Sequence, residues 1–187
     1  MGNNKKKHPL KSSLMIASGT FIASILIFIA SELLLRSVAF LLGLFLLIII
    51  IFIGIMFDII GVAAAAADEA PFNAKASSKI PGAKEGVYLV KNADKVSSFC
   101  NDVVGDISGT LSGGIGAALV FQLIISNPDS NKLILSSVMA GIVASLTVGG
   151  KALAKGFAIH NSNEIIFWVG KAAKKVEDFL GIKLFVR

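Results

Sequence analysis

The sequence predicts an all-α membrane protein with four transmembrane helices, a cytoplasmic juxtamembrane helix and a C-terminal amphipathic helix. The first observation is that four stretches contain no Asp, Glu, Lys or Arg: Ser12–Ser31, Ser37–Phe57, Ile107–Pro128 and Leu133–Gly150. Each is close to the length of about 20 mostly apolar residues that a helix needs to cross a bilayer. The second observation is a mean hydropathy of +0.79 with 55% hydrophobic residues, which excludes an ordinary soluble domain.

The third observation is the distribution of basic residues along the chain. Of the 18 Lys and Arg residues, only Arg36 and Lys132 lie in the turns between the first and second spans and between the third and fourth. Cytoplasmic loops carry an excess of Lys and Arg, so we expect both termini and the central loop to be cytoplasmic. We place the chain in the plasma membrane of a prokaryote. Its net charge of +6 then reflects topology, and no nucleic-acid partner is expected.

These patterns divide the chain into four regions. Residues 1-11 form a basic cytoplasmic tail, residues 12-36 the first transmembrane helix, and residues 37-160 a domain with the other three spans. Residues 161-187 form the amphipathic helix. Its apolar residues recur at steps of four and three with lysines opposite: Ile165, Val169, Ala172, Val176 and Phe179.

Two helix boundaries are predicted around the central loop. No clear break follows the second span before Pro71, so its helix is expected to run from Val38 to Glu69. Asp58 then lies near or within the membrane. Residues Ala83–Lys95 are predicted to form one short amphipathic helix along the inner membrane surface.

Polar groups at the start of the third span are candidates for ion binding. Asp102 and Asp106 are four residues apart and share a helix face, and Asn101 precedes them. Hard cations such as Mg²⁺ and Na⁺ prefer carboxylate and amide oxygens. Asn101 and Asp102 are therefore the candidate metal ligands. The same acids would also stabilise a helix N-terminus through its dipole, and spacing alone does not separate these two roles.

Three further ionisable residues complete the candidate ion-binding or cavity set. They are Asp58, Glu69 and Lys151. Charged groups within spans are costly, and they usually face a partner or a cavity. Lys151 is the natural cationic partner of these acids, and the alternative is that it extends to the inner membrane surface.

Glycines predict close helix packing. Gly105, Gly109 and Gly113 recur every four residues in the third span, and Gly149 and Gly150 close the fourth. Bare backbone on one helix face lets another helix approach closely. We therefore expect these two spans to form the packed core and a homodimer contact. A cavity in which released carbonyls meet an ion is an alternative that is compatible with packing.

The motif search points away from catalysis. The sequence contains no Ser/His/Asp set, no phosphate-binding loop and no HExxH motif. We therefore predict no enzyme activity, no catalytic residues and no cofactor beyond an ion, Mg²⁺ or Na⁺.

Three stretches occur in a characteristic order. The first is Ala83-Lys84 followed by Tyr88-Leu89-Val90-Lys91, the second is Cys100-Asn101-Asp102-Val103-Val104-Gly105, and the third is Val148–Asn161 followed by Asn163-Glu164. The first resembles the juxtamembrane helix of the CNNM/CorB (CorC) magnesium transporter family. The second and third resemble its phrases G-N-N-x-x-N and F-G-E-I-x-P-K-[ST]-L-A-x-R. The similarity covers Phe57–Leu180, so the first span and the family's CBS domains fall outside it.

The resemblance implies a three-span CNNM/CorB-like domain within residues 37-160. It also implies a function related to divalent-cation (Mg²⁺) or Na⁺-coupled ion transport. In this comparison Lys151 stands where the family has an acidic residue. The alternative is a non-transporting membrane scaffold or partner protein that has the same architecture and binds another membrane protein.

Overall fold

The computed structural model describes residues 9–36 and 39–181, and every regular element in these ranges is helical. The helices are α1 Pro9–Arg36, α2 Phe40–Ala66, α3 Glu69–Ser77, α4 Ala83–Lys91, α5 Ala93–Ser98, α6 Asp106–Ser126, α7 Lys132–His160 and α8 Ser162–Leu180. A π-helical segment, Phe99–Gly105, joins α5 to α6. The all-helical prediction is confirmed for these ranges. Most of the predicted basic tail, and residues 182–187 of the predicted last region, lie outside them.

Three helices in the described ranges are long and apolar enough to cross a membrane. They are Phe40–Ala66, the continuous run Ala93–Ser126, and Lys132–His160. At 1.5 Å per residue, the 27 residues of α2 extend for about 40 Å. The described apolar part of α1, Leu14–Ala30, is shorter than these three. Three candidate spans are therefore present, and the fourth remains a prediction.

Helix α2 is the central element of the bundle. It packs against both α6 and α7 through a cluster that we call the membrane core. The buried members of this cluster are Leu47, Ile51, Ile115, Leu119 and Val143. Helix α1 lies outside this core and packs on α6, where the Phe28 ring fills the space beside Gly114. The membrane core accordingly contains only the three long spans.

A second apolar cluster lies at the end of α2 where α3, α4 and α8 meet. We call it the corner core. Its buried members are Ala63, Ala64, Phe72, Leu89, Ala158 and Ile166. The central loop and the C-terminal helix thus form one packed layer on the last turns of α2 and α7.

The prediction that the second helix runs to Glu69 is wrong. The helix ends at Ala66, and Ala67 is extended. Pro71 does not cause the break, because it lies in the first turn of α3, where backbone N–H groups have no partner within the helix. Tertiary hydrogen bonds hold the corner instead. The Asp68 N–H donates to Asn163 Oδ1 at 2.9 Å, and the Ser162 hydroxyl donates to the Ala66 carbonyl at 3.4 Å.

The single helix predicted over Ala83–Lys95 is also interrupted. It is divided at Asn92, whose φ of −111° and ψ of 30° depart from helical geometry. The Asn92 side-chain amide donates to the Tyr88 carbonyl at 2.9 Å and so satisfies the end of α4. Asparagine competes well for backbone groups in this way, and the chain turns into α5.

The glycines of α6 and α2 differ in what surrounds them. A Cβ added at Gly54 would lie 2.9 Å from Ser108 Cβ, whereas nothing lies within 4 Å of one added at Gly109. We therefore expect Gly54→Leu to lower the stability of the purified protein by about 1–3 kcal/mol through overpacking. The matched Gly109→Leu variant should keep the parent melting temperature in detergent.

The predicted homodimer contact is measured on the same samples by light scattering. Loss of dimer in Gly109→Leu with an unchanged melting temperature supports a contact on this face. A large loss of stability in Gly109→Leu would contradict the open environment at this position.

Candidate functional site

An ion pair joins two of the candidate membrane spans. Lys151 Nζ on α7 lies 3.6 Å from Asp58 Oδ1 on α2, and their side chains are 25% and 15% exposed. Both residues fall within candidate spans. Neither charge would be stable alone in this partly desolvated position, because transferring an unpaired ion out of water costs several kcal/mol even after relaxation. The pair is therefore the electrostatic link between α2 and α7.

This ion pair lies along the helices between the two apolar clusters. On α2, Asp58 follows Ile51 of the membrane core and precedes Ala63 of the corner core, and on α7 Lys151 falls between Val143 and Ala158. Apolar packing on both sides limits the access of water. A partly desolvated pair is less screened by salt than a surface pair.

Gly105 makes room for the ammonium group. A Cβ at this position would lie 3.1 Å from Lys151 Nζ and 3.4 Å from the Cys100 carbonyl oxygen. Any side chain here would crowd the lysine head against the π-helical backbone. The role of Gly105 is therefore local: it lets the third span approach the charge on α7.

The π-helical segment Phe99–Gly105 turns one polar side chain into the bundle. Asn101 lies against Gly61 on α2, one turn beyond Asp58, and its amide donates to Ser97 Oγ at 3.2 Å. Its oxygen Oδ1 is buried without a hydrogen-bond partner, alone among the buried side-chain polar atoms that the structure describes. Leaving such an acceptor unpaired costs about 1–3 kcal/mol. Short π-helical insertions often mark functional sites.

Four residues therefore define what we call the polar layer: Asp58, Asn101, Gly105 and Lys151. It holds one carboxylate, one ammonium, one unpaired amide oxygen and the backbone near Cys100. Chemically, this set can balance a single positive charge, whether that charge belongs to the lysine or to a cation.

The other acids of the predicted set lie elsewhere. Asp102 and Asp106 are exposed, and Asp102 accepts a hydrogen bond from the Ser98 hydroxyl at 2.7 Å. The two acids do share the outer side of their helix, while Asn101 turns inward. The structure thus separates the two residues that the sequence pairs as candidate metal ligands.

Glu69 belongs to the corner rather than to the polar layer. Its carboxylate accepts from the Asn73 amide at 2.9 Å and pairs with the Lys91 ammonium at 3.2 Å. These two partners, Asn73 first, hold the pKa of the Glu69 carboxyl below its usual value. Glu69 therefore connects α3 to α4.

The predicted packing glycines also fall into two groups. Gly105 faces Lys151, and Gly150 faces the Ile55 side chain. By contrast, Gly109, Gly113 and Gly149 have open space where a Cβ would be. Gly109 and Gly113 line a groove of about 630 Å³ between α6 and α7. Within the chain, only the first of these two groups contributes to close helix contact.

Sequence reasoning missed two residues that hold Asn101 in place beside the polar layer. Ser97, which accepts from Asn101, lies four residues before it, a spacing that helical periodicity could have identified. Gly61 gave no such signal, because it faces Asn101 from another helix across 40 positions of sequence. The described residues contain no group of three or more His, Cys, Asp or Glu side chains placed to hold a metal ion.

No family model, no curated protein and no solved structure matches the chain. The resemblance to the CNNM/CorB family accordingly rests on the three stretches quoted above and remains a prediction.

The coupling between Asp58 and Lys151 can be measured by a double-mutant cycle. Lys151→Met should destabilise the protein by about 1–3 kcal/mol, because it leaves the Asp58 carboxylate without its counter-charge; partial exposure keeps this below the cost for a fully buried pair. The double variant Asp58→Asn/Lys151→Met should recover most of that loss. Thermal or denaturant unfolding in detergent provides the measurement.

A matched control is the exposed pair of Lys174 and Asp178, four residues apart on α8 with 2.6 Å between Nζ and Oδ1. The equivalent cycle there should show a weaker coupling than the cycle of Asp58 and Lys151, because solvent screens the pair. Equal coupling in the two cycles would contradict a special environment for Asp58 and Lys151.

Proposed function

We propose that this chain is an ion-handling membrane protein related to Na⁺-coupled transport, and that its cation ligand is Asp58. In the absence of the ion, the Lys151 ammonium occupies the position of the cation. Their contact within the membrane-spanning bundle is the observation that carries the proposal. Ionisable groups at this depth are expensive, and they mark ion pathways more often than they serve packing.

Charge balance favours a monovalent ion. The Asp58 carboxylate is neutralised by one ammonium, so replacing that ammonium with Na⁺ leaves the net charge of the layer unchanged. Mg²⁺ would add a second positive charge and demands near-octahedral oxygen coordination. Asp102, the second candidate metal ligand, is exposed. The Mg²⁺ alternative is therefore less well supported than Na⁺.

Asn101 supplies a reason for a cation to bind here. Its buried Oδ1 has no donor in the described structure, and an amide oxygen is a suitable ligand for a hard cation. The Cys100 carbonyl of the π-helical segment adds a further oxygen atom close to Gly105. Lys151 retains partial exposure, so its flexible stem can withdraw towards the aqueous edge when an ion takes its place.

The proposal is tested by thermal unfolding of the full chain in detergent at constant ionic strength, with Na⁺, K⁺, Mg²⁺ or choline as the cation. Na⁺ should raise the melting temperature of the parent relative to choline and should do so more strongly in Lys151→Met, where no ammonium competes. At ten times the Kd, ligand binding adds about 1.4 kcal/mol of stability. Asp58→Asn should abolish the response, and the exposed-acid control Asp102→Asn should behave as the parent.

Stabilisation by Mg²⁺ alone that disappears in Asp102→Asn would contradict this proposal. It would favour the divalent site at Asn101 and Asp102 instead. A flux assay in proteoliposomes with the same four proteins then distinguishes binding from transport.

The second candidate is a non-transporting scaffold, and the same ion pair favours it. A permanent bond between Lys151 and Asp58 would neutralise the layer and leave nothing for an ion to bind. In that case no cation changes the stability of the parent. Lys151→Glu would then create a pair of carboxylates and gain a response to Mg²⁺. The two functions therefore give opposite results in the parent protein.

The proposed topology places both termini and the central loop in the cytoplasm. We expect Lys79→Cys, in a Cys100→Ser background, to react with a membrane-impermeant maleimide only after the cells are permeabilised, because the exposed Lys79 lies in the basic loop between α3 and α4. Asp129→Cys, in the exposed turn between α6 and α7, is the matched control and should react in intact cells. The reverse labelling pattern would contradict the topology.

A further inference from the structure

Helix α8 has two apolar faces, and only one of them is used in the fold. The inner face carries Ile166 and Gly170, which are buried. Gly170 lies so close to the carbonyl oxygen of Gly82, the residue just before α4, that a side chain there would collide with it. The inner face of α8 is therefore buried by its packing against the corner core.

The outer face carries a second stripe of apolar residues. Trp168 is 63% exposed and Phe179 is 89% exposed, with Ala172 and Val176 between them at helical spacing. Single exposed apolar residues are common, but an aligned stripe with two large aromatic rings marks an interaction surface. The apolar set predicted from the sequence therefore contains residues of both faces. Its members Ile165 and Val169 are half-buried and pack against the corner core, whereas Ala172, Val176 and Phe179 belong to the outer stripe.

Positive charge borders this outer face. The Lys171 ammonium lies 4.8 Å from the centre of the Trp168 ring and 4.5 Å from that of the half-buried Phe167. Cation–π contacts of this kind hold the ammonium group in place. Lys175 follows Lys171 by four residues and extends the same border.

We propose that the outer face of α8 docks on an anionic lipid surface. Helix α8 begins two residues after the candidate span α7 ends, which places it beside the headgroup region. A lysine border with Trp and Phe on the apolar stripe is the pattern of a helix that lies in the interface and prefers anionic lipid. The described α8 carries three lysines and three acids, Glu164, Glu177 and Asp178, so the preference for anionic lipid rests on the position of Lys171 and Lys175 beside the stripe and not on net charge. The proposal is independent of the ion site.

Trp168 is the only tryptophan of the chain, so its fluorescence reports on this face alone. The full chain is placed in nanodiscs of phosphatidylcholine, with or without phosphatidylglycerol, that contain acyl chains brominated near the headgroup. With phosphatidylglycerol, the emission of Trp168 should shift to shorter wavelength and lose intensity by bromine quenching. High salt should reduce both effects, because it screens the lysine–lipid attraction.

Two variants separate the apolar and the charged contributions. Phe179→Asp should remove the quenching while the melting temperature stays that of the parent, since this side chain is exposed. Lys171→Gln/Lys175→Gln should make the quenching independent of phosphatidylglycerol. Lys84→Gln/Lys155→Gln removes the same net charge from two other exposed positions and should leave the lipid dependence intact.

Three outcomes would overturn the proposal. Trp168 that stays accessible to acrylamide in every nanodisc shows that the face remains in water. Trp168 that is shielded from acrylamide yet unquenched by brominated lipid shows that protein covers it, either a second copy or another partner. Equal quenching with and without phosphatidylglycerol shows insertion without selection for anionic lipid.

Discussion

The contact between Lys151 and Asp58 constrains how the three long helices can pack. These two charges are largely removed from water and must stay together, because separating them leaves an ion in a medium that solvates it poorly. This requirement fixes the axial register of α7 against α2. It also requires the third span to present backbone rather than a side chain to the ammonium, which explains Gly105 at that point. The apolar residues above and below could slide past one another more freely, since dispersion and apolar burial are not directional.

The two apolar clusters have different tasks around this pair. The membrane core joins the long spans, where lipid competes with protein for apolar side chains and burial alone drives little association. The corner core joins short helices that would be marginal by themselves. It is reinforced by hydrogen bonds that link Asp68 to Asn163 and Ser162 to Ala66. These bonds join the end of α2 to the start of α8, so a displacement of α7 would be felt in the juxtamembrane layer.

The proposed ion site and the proposed lipid surface therefore lie on consecutive helices, α7 and α8. Withdrawal of Lys151 from Asp58 would loosen α7 against α2, and α8 follows α7 after a single residue, Asn161. The groove between α6 and α7 gives α7 room to shift on its other side. If both proposals hold, exchange of the ammonium for an ion in the polar layer would be transmitted to α8 through elements that share packed contacts.

Local properties of the sequence determined the helical class, the three long spans and the amphipathic character of the last helix. Hydropathy and periodicity depend only on residues that are close in sequence, so they can be read without knowledge of the fold. The partner of Lys151 and the opposite orientations of Asn101 and Asp102 depended on tertiary structure. The π-helical segment bonds residues five apart rather than four, and this change of register decides which polar side chain enters the bundle. The break at Ala66 was equally hidden, because the groups that stabilise it lie about 95 residues away in sequence.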